Sequence, residues 1–332
     1  MPTRTFMVLI TNRFDADNPQ QPFNIYNQGE DLWAVEGEEF GDRVRWFAED
    51  CDHLIGFNIV ADVANGFSGF MCNTMDYIRD AFRGKTSVVW NLFDTPGDEK
   101  SLCYRSINSV LAYHKLHDLA DLILPLAVTT DGIGRSLRKS SILLDLSSFT
   151  GGAVLALQID SILSSCKLKA DSKYDFLAFP QIMAEGQKKF AVSSMAIQPT
   201  KDSRTECFTP KCATTKQSTG AYVIVRANDE LQKDVARICG SNPASTFCAS
   251  IKHPTKFLEE RFCQLASETV TRGSGLISGA YALQNSDTIV AHFNDLLRRK
   301  YHANKMHRLT LTQEDVNEAV DGVAAIKECY LS

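Results

Sequence analysis

The first 135 residues predict an α/β fold, a parallel sheet wrapped by helices, and the rest of the chain predicts an α+β region closed by two helices. Three observations carry this. Apolar runs of β character at 54–60, 86–93 and 121–126 alternate with stretches whose apolar residues recur at helical spacing, the pattern of parallel strands joined by helical crossovers. A glycine turn at Gly66 separates the first run from the helix after it. Beyond about residue 135 the alternation stops. The expected domains are therefore 1–135, an α/β domain, and 136–332, an α+β domain carrying the final helices.

In chain order, 17–31 (DNPQQPFNIYNQGED) has two prolines, several amides and no periodicity, and is read as a loop. From Glu38, Phe40, Val44, Phe47 and Cys51 recur at helical spacing behind Glu36, Glu38 and Glu39, which suit a helix start. After the strand 54–60 and the Gly66 turn, Met71, Met75, Ile78 and Phe82 share one helical face. The strand TSVVWNLF ends at Asp94-Thr95-Pro96-Gly97, and a helix carrying Cys103, Ile107, Val110, Leu111 and His114 leads into DLILPL. In the second part, 151–163 and 174–186 read as helices and 188–197, 221–227 and 274–283 as strands, while 197–219 is a polar excursion. Ser286 opens a helix with Ile289, Val290, Phe293, Leu296 and Leu297 on a face. Thr312 and Asp315 form a capping box for the last helix, whose buried side is Val316, Ala319, Val320 and Val323.

With 332 residues, 44% of them apolar, the chain can bury a large core or two modest ones. A net charge of -5 provides no global positive field, so no nucleic-acid partner is expected. The ten cysteines are scattered through apolar segments without the density of a disulfide-stapled domain, which suits a reducing compartment. No apolar run reaches the roughly 20 residues that would span a bilayer, so no transmembrane segment is expected and any membrane association would be peripheral.

A strand, a glycine turn and a helix place unpaired N–H groups at a helix start, where the dipole also favours an anion. Here the turn reads Ala64-Asn65-Gly66-Phe67-Ser68-Gly69-Phe70. The segment EDCDHLIGFNIVADVANGFSGF, then VVWNL, and EDVNEAVDGVAAIKECY near the carboxy terminus resemble the Misato family of tubulin-related proteins, and CDHLIGF resembles the strand ahead of the triphosphate loop in the tubulin superfamily at large. The resemblance runs from about residue 28 to the end, and implies a tubulin-like fold. It also implies that the chain begins partway into the family's usual length, without the superfamily's first nucleotide loops, so that 1–135 would be an incomplete nucleotide-type domain with a partial parallel sheet.

Carried over residue by residue, the resemblance makes Gly66, Ser68 and Gly69 the nucleotide-facing remnant. Asn108 falls where tubulin places an asparagine against guanine. Tubulin's loop is nearly all glycine, serine and threonine, so Phe67 and Phe70 are expected to crowd the space where main chain meets phosphate. The tyrosine that tubulin stacks on the base has no counterpart after LILPL, and Asp145-Leu146-Ser147 only faintly echoes the hydrolytic loop. The resulting expectation is no catalytic residue, no cofactor, with GTP doubtful, and a non-enzymatic role in mitochondrial distribution and morphology and in chromosome segregation. That role would be exercised through protein partners such as tubulin or a chaperonin, at the mitochondrial surface and in the cytoplasm. The alternative is a GTP-binding, polymerising GTPase.

Other chemistry is weaker. Gly66-Phe67-Ser68-Gly69 lacks the glycine that a nucleophile elbow needs at position 70. The stretch DGIGRSL has Leu137 where a dinucleotide fingerprint has its third glycine. Cys207 and Cys212 have no second ligand pair and His253 is distant, so no metal site is expected. His114 and His117 read as one partly buried and one solvated histidine. The basic run 298–308 matches what a helix carboxy terminus favours, with a docking patch for an acidic partner or anionic lipid as the functional alternative.

Overall fold

The computed structural model describes residues 23–93, 99–127, 148–163, 176–197, 206–207, 218–226, 245–251, 276–283, 287–298 and 312–331. They fall into two compact units, one formed by Met1–Ile123 with Val290–Leu331 and the other by Leu124–Ile289.

The first unit contains helix α1 (Tyr26–Glu49), strand β1 (Gly56–Asp62), helix α2 (Phe67–Ala81), strand β2 (Thr86–Phe93) and helix α3 (Glu99–Leu119). β1 and β2 pair in parallel from Gly56 opposite Thr86 to Asp62 opposite Leu92. Strand β3 (Leu122–Ala127) completes the order β1-β2-β3. As the central strand, β2 is buried on both faces: Val88, Val89 and Trp90 lose all exposure. The expected face of α2 is buried at Met71, Met75 and Ile78, while Phe82 is half-buried at its carboxy-terminal cap.

α1 begins twelve residues before the predicted start at Glu38, inside the stretch read as a loop. The reason is tertiary. The amino-terminal N–H groups of a helix need outside acceptors. Gln28 Oε1 accepts from Asn24 N at 2.9 Å and Ile25 N at 3.1 Å, and Asn108 on α3, far along the chain, accepts from Tyr26 N at 2.9 Å.

The last two helices are α6 (Asp287–Arg298) and α7 (Gln313–Cys329). The sequence reading attaches both to the second domain, but from Val290 onward they belong to the first unit, and α7 packs against α3. The imidazole of His114 fills a notch at Gly322, where an added Cβ would lie 2.1 Å from Nδ1. The two histidines also exchange their expected roles: His114 is half-exposed and His117 is buried.

The predicted capping box of α7 forms: Asp315 N donates to Thr312 Oγ1 at 3.2 Å and Thr312 N donates to Asp315 Oδ2 at 2.9 Å. Hydrogen bonds from Thr312 hold the Asp315 carboxyl below its ordinary pKa. A depressed folded-state pKa stabilises the fold above the unfolded value near 4 and loses that contribution as pH falls through the folded value. We therefore expect Thr312→Ala to lower the melting temperature by a few degrees at neutral pH, with the difference shrinking in acid; thermal melts from pH 7 down to pH 2 check this.

α6 is tied to α3 by a buried hydrogen bond between Tyr113 Oη and His292 Nε2 at 3.2 Å, with the ring of Phe93 edge-on to the imidazole at 5.5 Å. Tyr113→Phe removes this bond and is expected to cost about 1–2 kcal/mol in urea unfolding.

The second unit holds helix α4 (Ser148–Leu163), helix α5 (Ala178–Met183) and a five-stranded sheet. Its strands are β4 (Val192–Ile197), β5 (Glu206–Cys207), β6 (Ser218–Arg226), β7 (Ser245–Ile251) and β8 (Leu276–Leu283), in the order β5-β4-β8-β6-β7. β8 pairs antiparallel with both β4 and β6, and β7 lies parallel to β6. Three of these strands match predicted ones; β5 and β7 were not read from the sequence. Gln158 on α4 donates to Ser193 Oγ on β4 at 2.8 Å within this core.

Candidate functional site

The glycine turn closes β1 and opens α2, as the sequence predicts, with Gly66 at the helix N-cap. An anion held there would use the main-chain N–H groups of the turn. Those of Ala64, Gly66, Phe67, Ser68 and Gly69 are already engaged. The Asp62 carboxylate accepts from Ala64 N at 2.7 Å and, through its other oxygen, from Asn65 Nδ2 at 2.9 Å. Asn65 Oδ1 accepts from Phe67 N at 2.9 Å. Gly66 N donates to Phe23 O at 3.1 Å, Ser68 N to Asn65 O at 3.1 Å, and Gly69 N to Gly66 O at 3.2 Å. The acceptor role that a phosphate would play is filled by the protein's own carboxylate, amide and carbonyl groups.

The outer surface of the turn is covered by residues that sequence reasoning missed. An added Cβ on Gly66 would lie 2.7 Å from the ring of Phe23, and one on Gly69 would lie 2.1 Å from the carbonyl oxygen of Tyr26. From the other side, a Cβ on Gly29 would meet Gly66 O at 1.9 Å and Phe70 N at 2.5 Å. The glycines thus let the first turn of α1 lie directly on the first turn of α2. The two main chains approach more closely than any side chain allows.

Phe67 and Phe70 do not crowd the turn in the way expected. Phe70 is buried between Trp33 and Phe40 of α1, with ring centroids at 5.1 and 5.2 Å, and Phe67 lies edge-on to Phe23 at 4.9 Å. Their rings form a cluster with Leu32 that joins the two helices. Each such aromatic pair adds about 0.5–1.5 kcal/mol beyond the area it buries. Ser68 is fully buried and its hydroxyl donates to Asn65 O, so it presents no nucleophile.

Asn108 is also fully buried, and its amide reaches three main-chain groups. Nδ2 donates to Asn24 O at 2.8 Å and Ala64 O at 3.0 Å, while Oδ1 accepts from Tyr26 N. Both N–H groups are used, so the side chain joins the start of α1 to the end of β1. This is a correction to its expected place against a base. The structure does bring Gly66, Ser68, Gly69 and Asn108 together, around the start of α1. The readable signal for the turn was Asp62-x-x-Asn65, a pairing of residues that bond neighbouring main chain. Nothing local announced Phe23 or Tyr26.

The neighbouring polar groups are kept in their neutral forms. Burial pushes the Cys72 thiol up to about 12 and raises the phenol of Tyr26. Among the described residues no group of three or more histidine, cysteine or acidic side chains could hold a metal ion, and no helix is long and apolar enough to cross a membrane. Asp145, Ser147, Cys212, His253, the stretch DGIGRSL and residues 299–308 of the basic run lie outside the described residues.

The parallel strands, the glycine turn and the helices around them define a tubulin-type α/β domain, and the tubulin-domain family model matches residues 5–168. The chain is similar to Protein misato homolog 1 of Bos taurus, 26% identical over 172 residues, 49% of this chain and 30% of that protein. It is 26% identical to Protein misato of Drosophila melanogaster over 195 residues, covering 54% and 34%, and 25% identical to Protein DML1 of Gibberella zeae over 199 residues, covering 57% and 39%. Over about half its length the chain is thus similar to the Misato and DML1 group of tubulin-related proteins. The matched stretch spans about a third of the length of these relatives.

Proposed function

We propose that this chain is a non-enzymatic, tubulin-like protein that acts through protein contacts in mitochondrial distribution and morphology and in chromosome segregation. It would work at the mitochondrial surface and in the cytoplasm, with tubulin or a chaperonin as partner. Similarity to the Misato proteins supports the cellular role. One observation carries the non-enzymatic part: the N–H groups of Ala64, Gly66, Phe67, Ser68 and Gly69 are engaged by Asp62, Asn65, Gly66 and Phe23, and the covered turn carries a carboxylate of its own. A second anion beside Asp62 would meet like charge and would have to displace several hydrogen bonds at once.

The expected result is no saturable binding of a fluorescent GTP analogue at micromolar concentration, no phosphate release and no GTP-dependent sedimentation. Micromolar binding abolished by a bulky replacement at Gly66 would overturn the reading. The tubulin-domain match favours a second reading, a GTP-binding and polymerising protein. That reading requires sedimentation that depends on GTP.

A further inference from the structure

α1 turns one face onto α2 and leaves a straight stripe on its outer side. Asp31, Val35, Glu38, Asp42, Trp46 and Glu49 are all exposed and recur every three or four residues, which aligns them along one line of the helix. Val35 is 78% exposed and Trp46 62% exposed. An indole so open, supported edge-on by Phe47 at 4.8 Å, is a costly surface feature and the residue type that most often anchors a protein contact. The two apolar residues stand eleven positions apart, three turns of helix or roughly 16 Å. Acids lie between them and beyond both ends, and no basic residue falls within the stripe. The nearest cations flank it: Arg45 pairs with Asp42 at 3.2 Å and Arg43 pairs with Glu39. Both pairs are exposed and contribute little.

We propose that this face of α1 docks a basic amphipathic helix of a partner protein. Two apolar side chains of that helix, three turns apart, would cover Val35 and Trp46, and its lysines or arginines would meet Asp31, Glu38, Asp42 and Glu49. A straight stripe of alternating apolar and acidic character fits a second helix packed at a shallow angle, whose own apolar residues recur at the same period. The same acids repel an anionic bilayer surface, so a protein partner is favoured over lipid. The proposal rests on the reading that the chain works through protein contacts and names the surface that makes them.

The test uses the whole chain and defined probes. An 18-residue peptide of leucine and lysine, spaced to form an amphipathic helix about 27 Å long, is titrated while tryptophan fluorescence is followed. Two controls share the experiment: a scrambled peptide of identical composition and neutral phosphatidylcholine vesicles. The expected result is micromolar binding of the helical peptide with a blue shift of the emission. The scrambled peptide should bind at least tenfold more weakly, and V35S/W46A, which lacks the reporting indole and is therefore titrated alongside the unaltered chain by isothermal calorimetry, should lose at least tenfold in affinity. Both substitutions are on exposed positions, so circular dichroism should report an unchanged fold. Equal binding of the two peptides, binding unaffected by the double substitution, no binding, or a blue shift with vesicles and not with peptide would each overturn the proposal. None of these outcomes bears on nucleotide binding, which the GTP-analogue titration decides separately.

Discussion

Replacing Asn108 by alanine is expected to lower the unfolding free energy by about 4 kcal/mol. The amide joins Asn24 O, Ala64 O and Tyr26 N, at 2.8, 3.0 and 2.9 Å, inside a site with no access to solvent. Removing it leaves three main-chain groups short of a partner. Each costs on the order of 1–3 kcal/mol when buried, less what relaxation and entering water recover. Set against a typical domain stability of about 5–15 kcal/mol, this is a large loss. Urea unfolding followed by circular dichroism measures it, and protection of the Tyr26 amide from hydrogen exchange should fall in parallel. An asparagine kept for contact with a base would behave oppositely: its removal would leave the melting curve unchanged and weaken only nucleotide binding.

Gly69→Ala and Gly29→Ala are each expected to cost roughly 3 kcal/mol or more, because the new methyl groups would meet main chain, which cannot swing aside as a side chain can. The clashing atoms are Tyr26 O at 2.1 Å for position 69, and Gly66 O at 1.9 Å with Phe70 N at 2.5 Å for position 29. Relief requires α1 to lift from α2, which also opens the apolar cluster of Phe23, Leu32 and Phe70. Since both substitutions break the same approach, the double variant should cost less than the sum of the two singles. Gly84→Ala supplies the contrast: its φ of 77° disfavours a side chain, but nothing lies within 4 Å of the added Cβ. About 1 kcal/mol is expected there. Losses of equal size at all three positions would show that close packing of α1 on α2 is not what these glycines serve.

The two predictions share a consequence for the glycine turn. Gly66 and Gly69 look like the remains of a phosphate cradle, yet in this chain Gly69 faces α1, Gly66 faces the ring of Phe23 just ahead of it, and Asn108 caps that helix. Residue types that suit close approach to a ligand also suit close approach of two main chains. Their presence in a sequence does not by itself say which approach is made.

What the sequence by itself determined was periodic and local. The strands β1, β2 and β3, the helices α2 and α3, the capping box at Thr312 and the apolar face of α7 were all readable, because each depends on side-chain spacing or on a partner within four residues. The resemblance to the Misato proteins was readable for the same reason, its motifs being contiguous. Only the tertiary structure decided where α1 begins, which unit receives α6 and α7, and what occupies the glycine turn. Each of those depends on a hydrogen bond or packing contact between residues far apart in the chain: Asn108 with Tyr26, His114 with Gly322, Phe23 with Gly66. The amino-terminal N–H groups of a helix must be satisfied by whatever the fold brings near. That choice is made when the elements assemble, after propensity has had its say.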